Sequence, residues 1–181
     1  MNAIVNAKHW QLFLIIIVLP IAILIPQISK TIAHLETKGD AQVVETIMHI
    51  KYMPLIWSLI GILFLLWLYS IMNAVRKENQ HFEFPSKFNL VVYYCIAYLC
   101  ILGIMLFNTF SKKEFYPELV IYMIVPTIIY ALCFIYILYK TSRTLVDQKH
   151  TTNFVLTLIL ILLYPVGIWL LQPKINKIIS Q

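Results

Sequence analysis

The chain has 181 residues, of which 61% are hydrophobic and only 12% are charged. A soluble helical protein needs amphipathic helices around its core, and this composition offers too few charged residues to cover them, so a soluble globular fold is excluded. The formal charge of +6 comes from lysines and arginines near the ends of the apolar segments. This placement suits anionic lipid headgroups and requires no nucleic acid.

Five apolar segments contain no Lys, Arg, Asp, Glu or His. Each has about 19 to 22 residues, which at about 1.5 Å per residue matches the roughly 30 Å hydrocarbon layer of a bilayer. We therefore predict an all-α, polytopic transmembrane helix bundle that forms a single domain over residues 1–181. The predicted spans are 11–29, 54–75, 89–110, 119–139 and 154–172.

The first span is predicted to be an uncleaved membrane anchor. Lys8 resembles the weak positive region of a signal peptide, but the apolar stretch is too long for one and no cleavage site follows Pro26. Charged and aromatic residues immediately before a span commonly lie at the membrane interface. The candidate N-terminal interface anchor consists of Lys8, His9, Trp10 and Gln11.

The loop of residues 31–52 is the most polar stretch that carries several potential metal ligands. If residues 41–52 form a helix, Glu45 and His49 share one face at i and i+4, a spacing that can hold a metal together with His34. A second organised pair of ligands is missing. We therefore expect no metal or other cofactor, and predict an amphipathic helix on the membrane surface.

Spans three and four are predicted to pack against each other through tyrosine-rich faces, with the hydroxyl groups bonded between helices. An aromatic pocket for a lipid or an apolar ligand is the alternative. Other aromatic residues near the span ends fit interfacial belts. The two faces comprise Tyr94, Tyr98, Ile101, Met105 and Asn108 on span three and Tyr122, Pro126, Tyr130 and Cys133 on span four; the belt residues are Trp10, Trp57, Trp67, Tyr69, Tyr139 and Trp169.

Residues 140–153 are predicted to extend the helix of span four and to end in a polar break at residues 151–153. In span five, Pro165 removes a backbone hydrogen bond and Gly167 follows two residues later, so this helix is predicted to bend. The bent segment either still crosses the membrane, which we take as the default, or turns back.

The distribution of Lys and Arg depends on that choice. With five crossings the two sides of the membrane carry equal numbers, and the positive-inside rule is silent. If the last segment turns back, the count is uneven and favours a cytoplasmic N-terminus. Both arginines, Arg76 and Arg143, are on the side assigned to the cytoplasm in either case.

Catalytic signatures are missing from the sequence. No Lys, Arg, Asp, Glu or His lies within a span, which argues against a proton-coupled transporter. No nucleophile elbow, metalloprotease motif or phosphate-binding loop occurs either. We therefore predict that the protein is not an enzyme.

Two end motifs resemble those of a family of small integral membrane proteins from Bacteroidetes-type bacteria. The first begins at Lys8-His9-Trp10-Gln11, and the second runs from Tyr164 to Asn176 with a Pro-Val-Gly-Ile-Trp core, where relatives often have Phe-Phe-Pro in place of Leu163-Tyr164-Pro165. The resemblance implies an inner-membrane location and a helical fold, but no reaction. The second motif supplies a candidate anchor or partner-docking surface made of Pro165, Gly167, Trp169, Gln172, Pro173, Lys174 and Asn176.

These observations favour a non-enzymatic accessory or scaffold subunit of a bacterial inner-membrane complex, bound to another membrane protein or to a second copy of itself. The first alternative is a transporter or binding protein for an apolar or neutral solute or a lipid, because prolines break several spans. The second alternative is a membrane enzyme that uses the loop of residues 31–52.

Overall fold

The computed structural model describes residues 11, 14–38, 52–78, 86–112, 117–148, 151 and 153–179, and within these residues all regular structure is helical. The first element is a single π-helical turn, which continues directly into the first α-helix. The elements are the π turn (Leu14–Val18), α1 (Leu19–Lys38), α2 (Met53–Glu78), α3 (Phe88–Lys112), α4 (Pro117–Asp147), α5 (Phe154–Leu162) and α6 (Tyr164–Ile179).

Helix α2 forms the centre of the bundle. It packs against α3, α4 and α6, and more sparsely against the π turn and α1. Its middle part, residues 59–72, is apolar except for Ser70, so residues on every face of this part can be buried by neighbours. The fully buried side chains there include Leu65, Trp67, Leu68, Ile71 and Met72.

Small residues bring α2 and α3 close together. A Cβ atom built on Gly103 would lie 2.5 Å from the Oγ of Ser58, and one on Gly61 would lie 2.9 Å from a methyl carbon of Leu99. Close backbone approach at small residues is the usual packing mode of helices in membranes, where burial from water cannot drive association. The two helices are antiparallel, since Tyr69 near the end of α2 stacks on Phe88 at the start of α3.

Three helices are long and apolar enough to cross a membrane: Met53–Arg76, Phe88–Thr109 and Ile121–Asp147. They correspond to the second, third and fourth predicted spans. Among the described residues no other helix meets both criteria, so the predicted total of five spans is not confirmed. The bundle fits a membrane protein, because large apolar side chains cover the outward surfaces of its helices.

The predicted extension of span four is confirmed. Helix α4 continues to Asp147, and the helix that follows begins at a capping residue, as the polar break indicated. The side-chain oxygen of Asn153 accepts hydrogen bonds from the backbone N–H groups of Val155 and Leu156. This cap satisfies two donors that the first turn of α5 would otherwise leave unpaired.

The last apolar segment is broken into α5 and α6 at Leu163. The backbone of Leu163 has φ −79° and ψ 54°, outside the helical region, and Pro165 is the second residue of α6, where a missing N–H costs little. The buried Gly167 lies so close to the carbonyl oxygen of Leu160 that any Cβ would overlap it. The break predicted at Pro165 and Gly167 is therefore present, as a sharp bend between two helices.

Candidate functional site

The most buried polar contact joins α2 to α6. The indole N–H of Trp67 donates to Oε1 of Gln172 at 2.8 Å, and Nε2 of Gln172 donates to Oδ1 of Asn176 at 3.0 Å. Both Trp67 and Gln172 are only 1% exposed. A buried amide and indole of this kind need partners, because water is excluded, and here they supply them to each other.

This contact changes the interpretation of two predicted residues. Trp67 is buried in the bundle, so its assignment to an interfacial belt is wrong, whereas Trp57, Tyr139 and Trp169 are exposed as belt residues would be. Gln172 is turned inward and holds α6 against α2. In a helix that borders lipid, a lone glutamine is the sequence signal for such an interhelical partner.

The remaining residues of the predicted C-terminal docking surface are dispersed around α6. Gly167 is buried at the bend, Trp169 is exposed, and Pro173 and Asn176 are half-buried. The side chains of Pro165 and Lys174 lie outside the described part of the structure. The described members therefore do not form one continuous exposed surface.

The tyrosine faces of α3 and α4 meet largely as predicted. The hydroxyl of Tyr94 donates to the carbonyl oxygen of Pro126 at 3.1 Å, and that of Tyr98 lies 2.7 Å from Oγ1 of Thr127. The rings of Tyr98 and Tyr130 stack with centroids 4.7 Å apart. Pro126 has no N–H to donate to the carbonyl of Tyr122, and its own carbonyl oxygen also accepts the Tyr94 hydroxyl from the neighbouring helix.

Three members of these faces are placed differently from the prediction. Ile101 and Asn108 on α3 and Tyr122 on α4 are exposed. Helical spacing predicts which residues share a face, but it does not give the length over which two faces stay in contact.

Buried hydroxyl groups collect where α4 approaches α5. Thr141 and Ser142 are completely buried, and their hydroxyl oxygens have no hydrogen-bond partner. Thr157 on α5 is also buried and donates to the carbonyl oxygen of Asn153, with Thr151 within 2.8 Å.

Of the three helices long and apolar enough to cross a membrane, α4 is the least covered. Only 11% of its apolar stretch is buried, against 39% for α2. Its outward surface carries large aliphatic side chains at successive spacings of four, three, four and three residues, which place them in one row along the helix. We name this row the α4 stripe; it consists of Ile121, Val125, Ile128, Leu132 and Ile135, all of them exposed.

The predicted metal ligands and the N-terminal anchor are only partly covered by the structure. Glu45 and His49 lie outside the described residues, and so does the side chain of His34, whose backbone belongs to α1. Gln11 is described and exposed, whereas Lys8, His9 and Trp10 lie outside. Among the described side chains no group of three or more His, Cys, Asp or Glu could hold a metal ion.

Comparison with known proteins gives no relative: no family model, no curated protein and no solved structure matches this chain.

Proposed function

We propose that the protein is a non-enzymatic accessory or scaffold subunit of a bacterial inner-membrane complex, and that the α4 stripe binds a membrane helix of its partner. The exposed, regularly spaced α4 stripe is the observation that carries this proposal. The inner-membrane location, and membership of the family that the end motifs resemble, belong to the same proposal.

The spacing of the α4 stripe suits helix pairing. Alternating steps of three and four residues repeat every seven residues, the period at which one helix face stays against a partner in a left-handed crossing. Most helix pairs in membranes cross in this way, at about 20°. β-branched side chains such as Ile121 and Val125 lose little rotamer freedom when they pack, so the α4 stripe is suited to a close contact.

The aromatic-pocket alternative gains no support from the tyrosines. The hydroxyl groups of Tyr94 and Tyr98 are occupied by contacts between α3 and α4, and the ring of Tyr130 stacks on Tyr98. These groups hold the two helices together. The outer surface of α4 is the side that does not take part in this contact.

The test is purification of the tagged full-length protein from membranes in a mild detergent, followed by measurement of mass and composition. We expect a stoichiometric complex, with either a second copy or another membrane protein. The triple variant Val125→Ala, Ile128→Ala, Leu132→Ala should dissociate it, because truncation removes the side chains that pack across the contact.

A matched control truncates three exposed aliphatic residues on a different helix. Leu156→Ala, Ile159→Ala and Leu162→Ala on α5 remove similar apolar surface and should leave the complex intact. A wild-type protein that purifies only as a monomer, or a complex that both triple variants weaken equally, would contradict the proposal.

A further inference from the structure

The direction in which α5 runs can be read from its contacts with α4. The backbone N–H of Thr151 donates to the carbonyl oxygen of Leu145, and the ring of Phe154 packs edge-on against Tyr139, six residues earlier in α4. The chain therefore moves back along α4 as α5 begins.

The two ends of the bundle are named after the first and last residues of α2. At the Glu78 end, α2 and α4 finish and α3 starts; the opposite end is the Met53 end. Helix α5 runs toward the Met53 end.

Helix α6 cannot continue in that direction. The nine residues of α5 cover about 13.5 Å, and nine or ten further residues would carry Gln172 about 14 Å closer to the Met53 end. Trp67, however, lies about 21 Å along α2 from Met53, and its indole nitrogen is 2.8 Å from Gln172. The side chains of Trp67 and Gln172 are too short to bridge the separation along the bundle that a straight path would leave between them. Helix α6 therefore returns toward the Glu78 end.

The bend at Leu163 supplies the turn that this path requires. In a straight helix residues 160 and 167 would be separated by about 10.5 Å along the axis. Here Gly167 abuts the carbonyl oxygen of Leu160, which no residue with a Cβ could do. Helices α5 and α6 thus form a helical hairpin that turns at the exposed Leu163 and whose two ends face the same side.

The four basic side chains that the structure describes lie at the Glu78 end. Arg76 ends the apolar part of α2, Lys87 precedes α3, and Lys140 and Arg143 lie in the last turns of α4. Arg76, Lys87 and Arg143 are exposed, and Arg143 lies beside the Asp147 carboxylate at 3.2 Å. The return of α6 adds the sequence positions 174 and 177, both lysine, to the same end.

We propose that the Glu78 end of the bundle is a docking surface for anionic phospholipid headgroups, and that the α5–α6 hairpin completes it by returning α6 to that side. Phosphodiester groups complement the charge of the four described basic residues, whose places at the helix ends are at headgroup depth. By the positive-inside rule this end faces the cytoplasm, as does the N-terminus if the first apolar segment crosses the membrane. The inference does not depend on the α4 stripe.

The return of α6 is tested by cysteine accessibility in the full-length chain. Ile179→Cys at the end of α6, Ser86→Cys at the Glu78 end and Ser111→Cys at the Met53 end are labelled with a membrane-impermeant maleimide, in right-side-out and inverted vesicles. The parent chain with its native cysteines gives the background. We expect positions 179 and 86 to react from the same side and position 111 from the other; position 179 reacting together with 111 would overturn the hairpin.

Lipid binding is tested by native mass spectrometry of the detergent-purified protein titrated with phosphatidylglycerol, with phosphatidylcholine as the neutral comparison. The variant Lys140→Gln/Arg143→Gln should weaken phosphatidylglycerol binding by about tenfold or more, because two basic residues are removed from the surface. The control Lys112→Gln/Lys113→Gln removes the same charge at the other end and should change little.

A charge-preserving variant separates electrostatics from folding. Lys140→Arg/Arg143→Lys should bind phosphatidylglycerol like the wild type, and inorganic phosphate should not compete. Equal binding of the two lipids by the wild type, or an equal loss in both glutamine variants, would overturn the proposed surface.

Discussion

Gln172 shows how one polar residue can fix the position of a whole helix. Its amide is the partner of the Trp67 indole and of Asn176, in a region from which water is excluded. Removing one partner deprives the other of this hydrogen bond at a buried site, which costs more than the hydrogen bond itself contributes. The energetic role of this pair is therefore measurable by mutation.

We expect Gln172→Leu and Trp67→Phe each to destabilise the protein by about 1–2 kcal/mol, because each strands a buried polar group or opens a gap. The double variant should lose less than the sum, since the unpaired partner is gone. Thermal unfolding in detergent, followed by far-UV circular dichroism, measures all three. Strict additivity would show that the two residues do not interact.

Gly167 is the residue on which the bend between α5 and α6 depends. Gly167→Ala places a methyl group against the backbone carbonyl of Leu160, which cannot rotate away, and we expect a loss of about 1–3 kcal/mol. Gly61→Ala is the matched control, because its methyl group would meet only the flexible end of Leu99. The same unfolding experiment compares them; an equal and small effect would mean that the close contact at Gly167 is not required.

At the scale of helices, the contact of α2 with α3 depends on paired small residues. Gly103→Ala should destabilise the protein, because its Cβ would lie 2.5 Å from the Ser58 hydroxyl and 2.9 Å from its Cβ. Ser58→Gly in the same chain removes both atoms and should restore most of the lost stability. The unfolding midpoints of the single and double variants check this, and a double variant less stable than Gly103→Ala alone would contradict it.

The helical spans and several of their contacts could be predicted because they depend on local periodicity. Spacings of three and four residues placed Tyr94 and Tyr98 on one face of α3, and their hydroxyls do bond to α4. Pro165 marked the position where the last segment breaks. These features follow from backbone geometry, which the sequence encodes directly.

The burial of Trp67 and the path of α6 could not be predicted in this way. Trp67 lies near the end of an apolar span, and tryptophan there is ordinarily interfacial. Its burial depends on a partner 105 residues away in sequence, brought close only by the hairpin. Whether a proline bend turns a helix back is decided by tertiary packing, here by Gly167 against Leu160.

At the scale of the whole molecule, the two surfaces of the protein have different chemistry. The Glu78 end carries Arg76, Lys87, Lys140 and Arg143, whereas the α4 stripe along the side of the bundle is aliphatic throughout. Helix α2 packs most extensively against α3, and α4 contacts α2, α3 and α5 while most of its apolar stretch stays exposed. This division is consistent with a subunit that is anchored by the lipid at one end and by a partner helix along its side.

The most direct test of that account is photo-crosslinking in native membranes, with a photoreactive amino acid placed singly at each position from 121 to 135. We predict protein adducts at 121, 125, 128, 132 and 135 and few at the positions between them, because only the α4 stripe faces the partner. Adducts that migrate as twice the chain mass would identify a second copy, and other masses would identify a different subunit. Lipid adducts alone, or protein adducts without the three-and-four periodicity, would contradict the account.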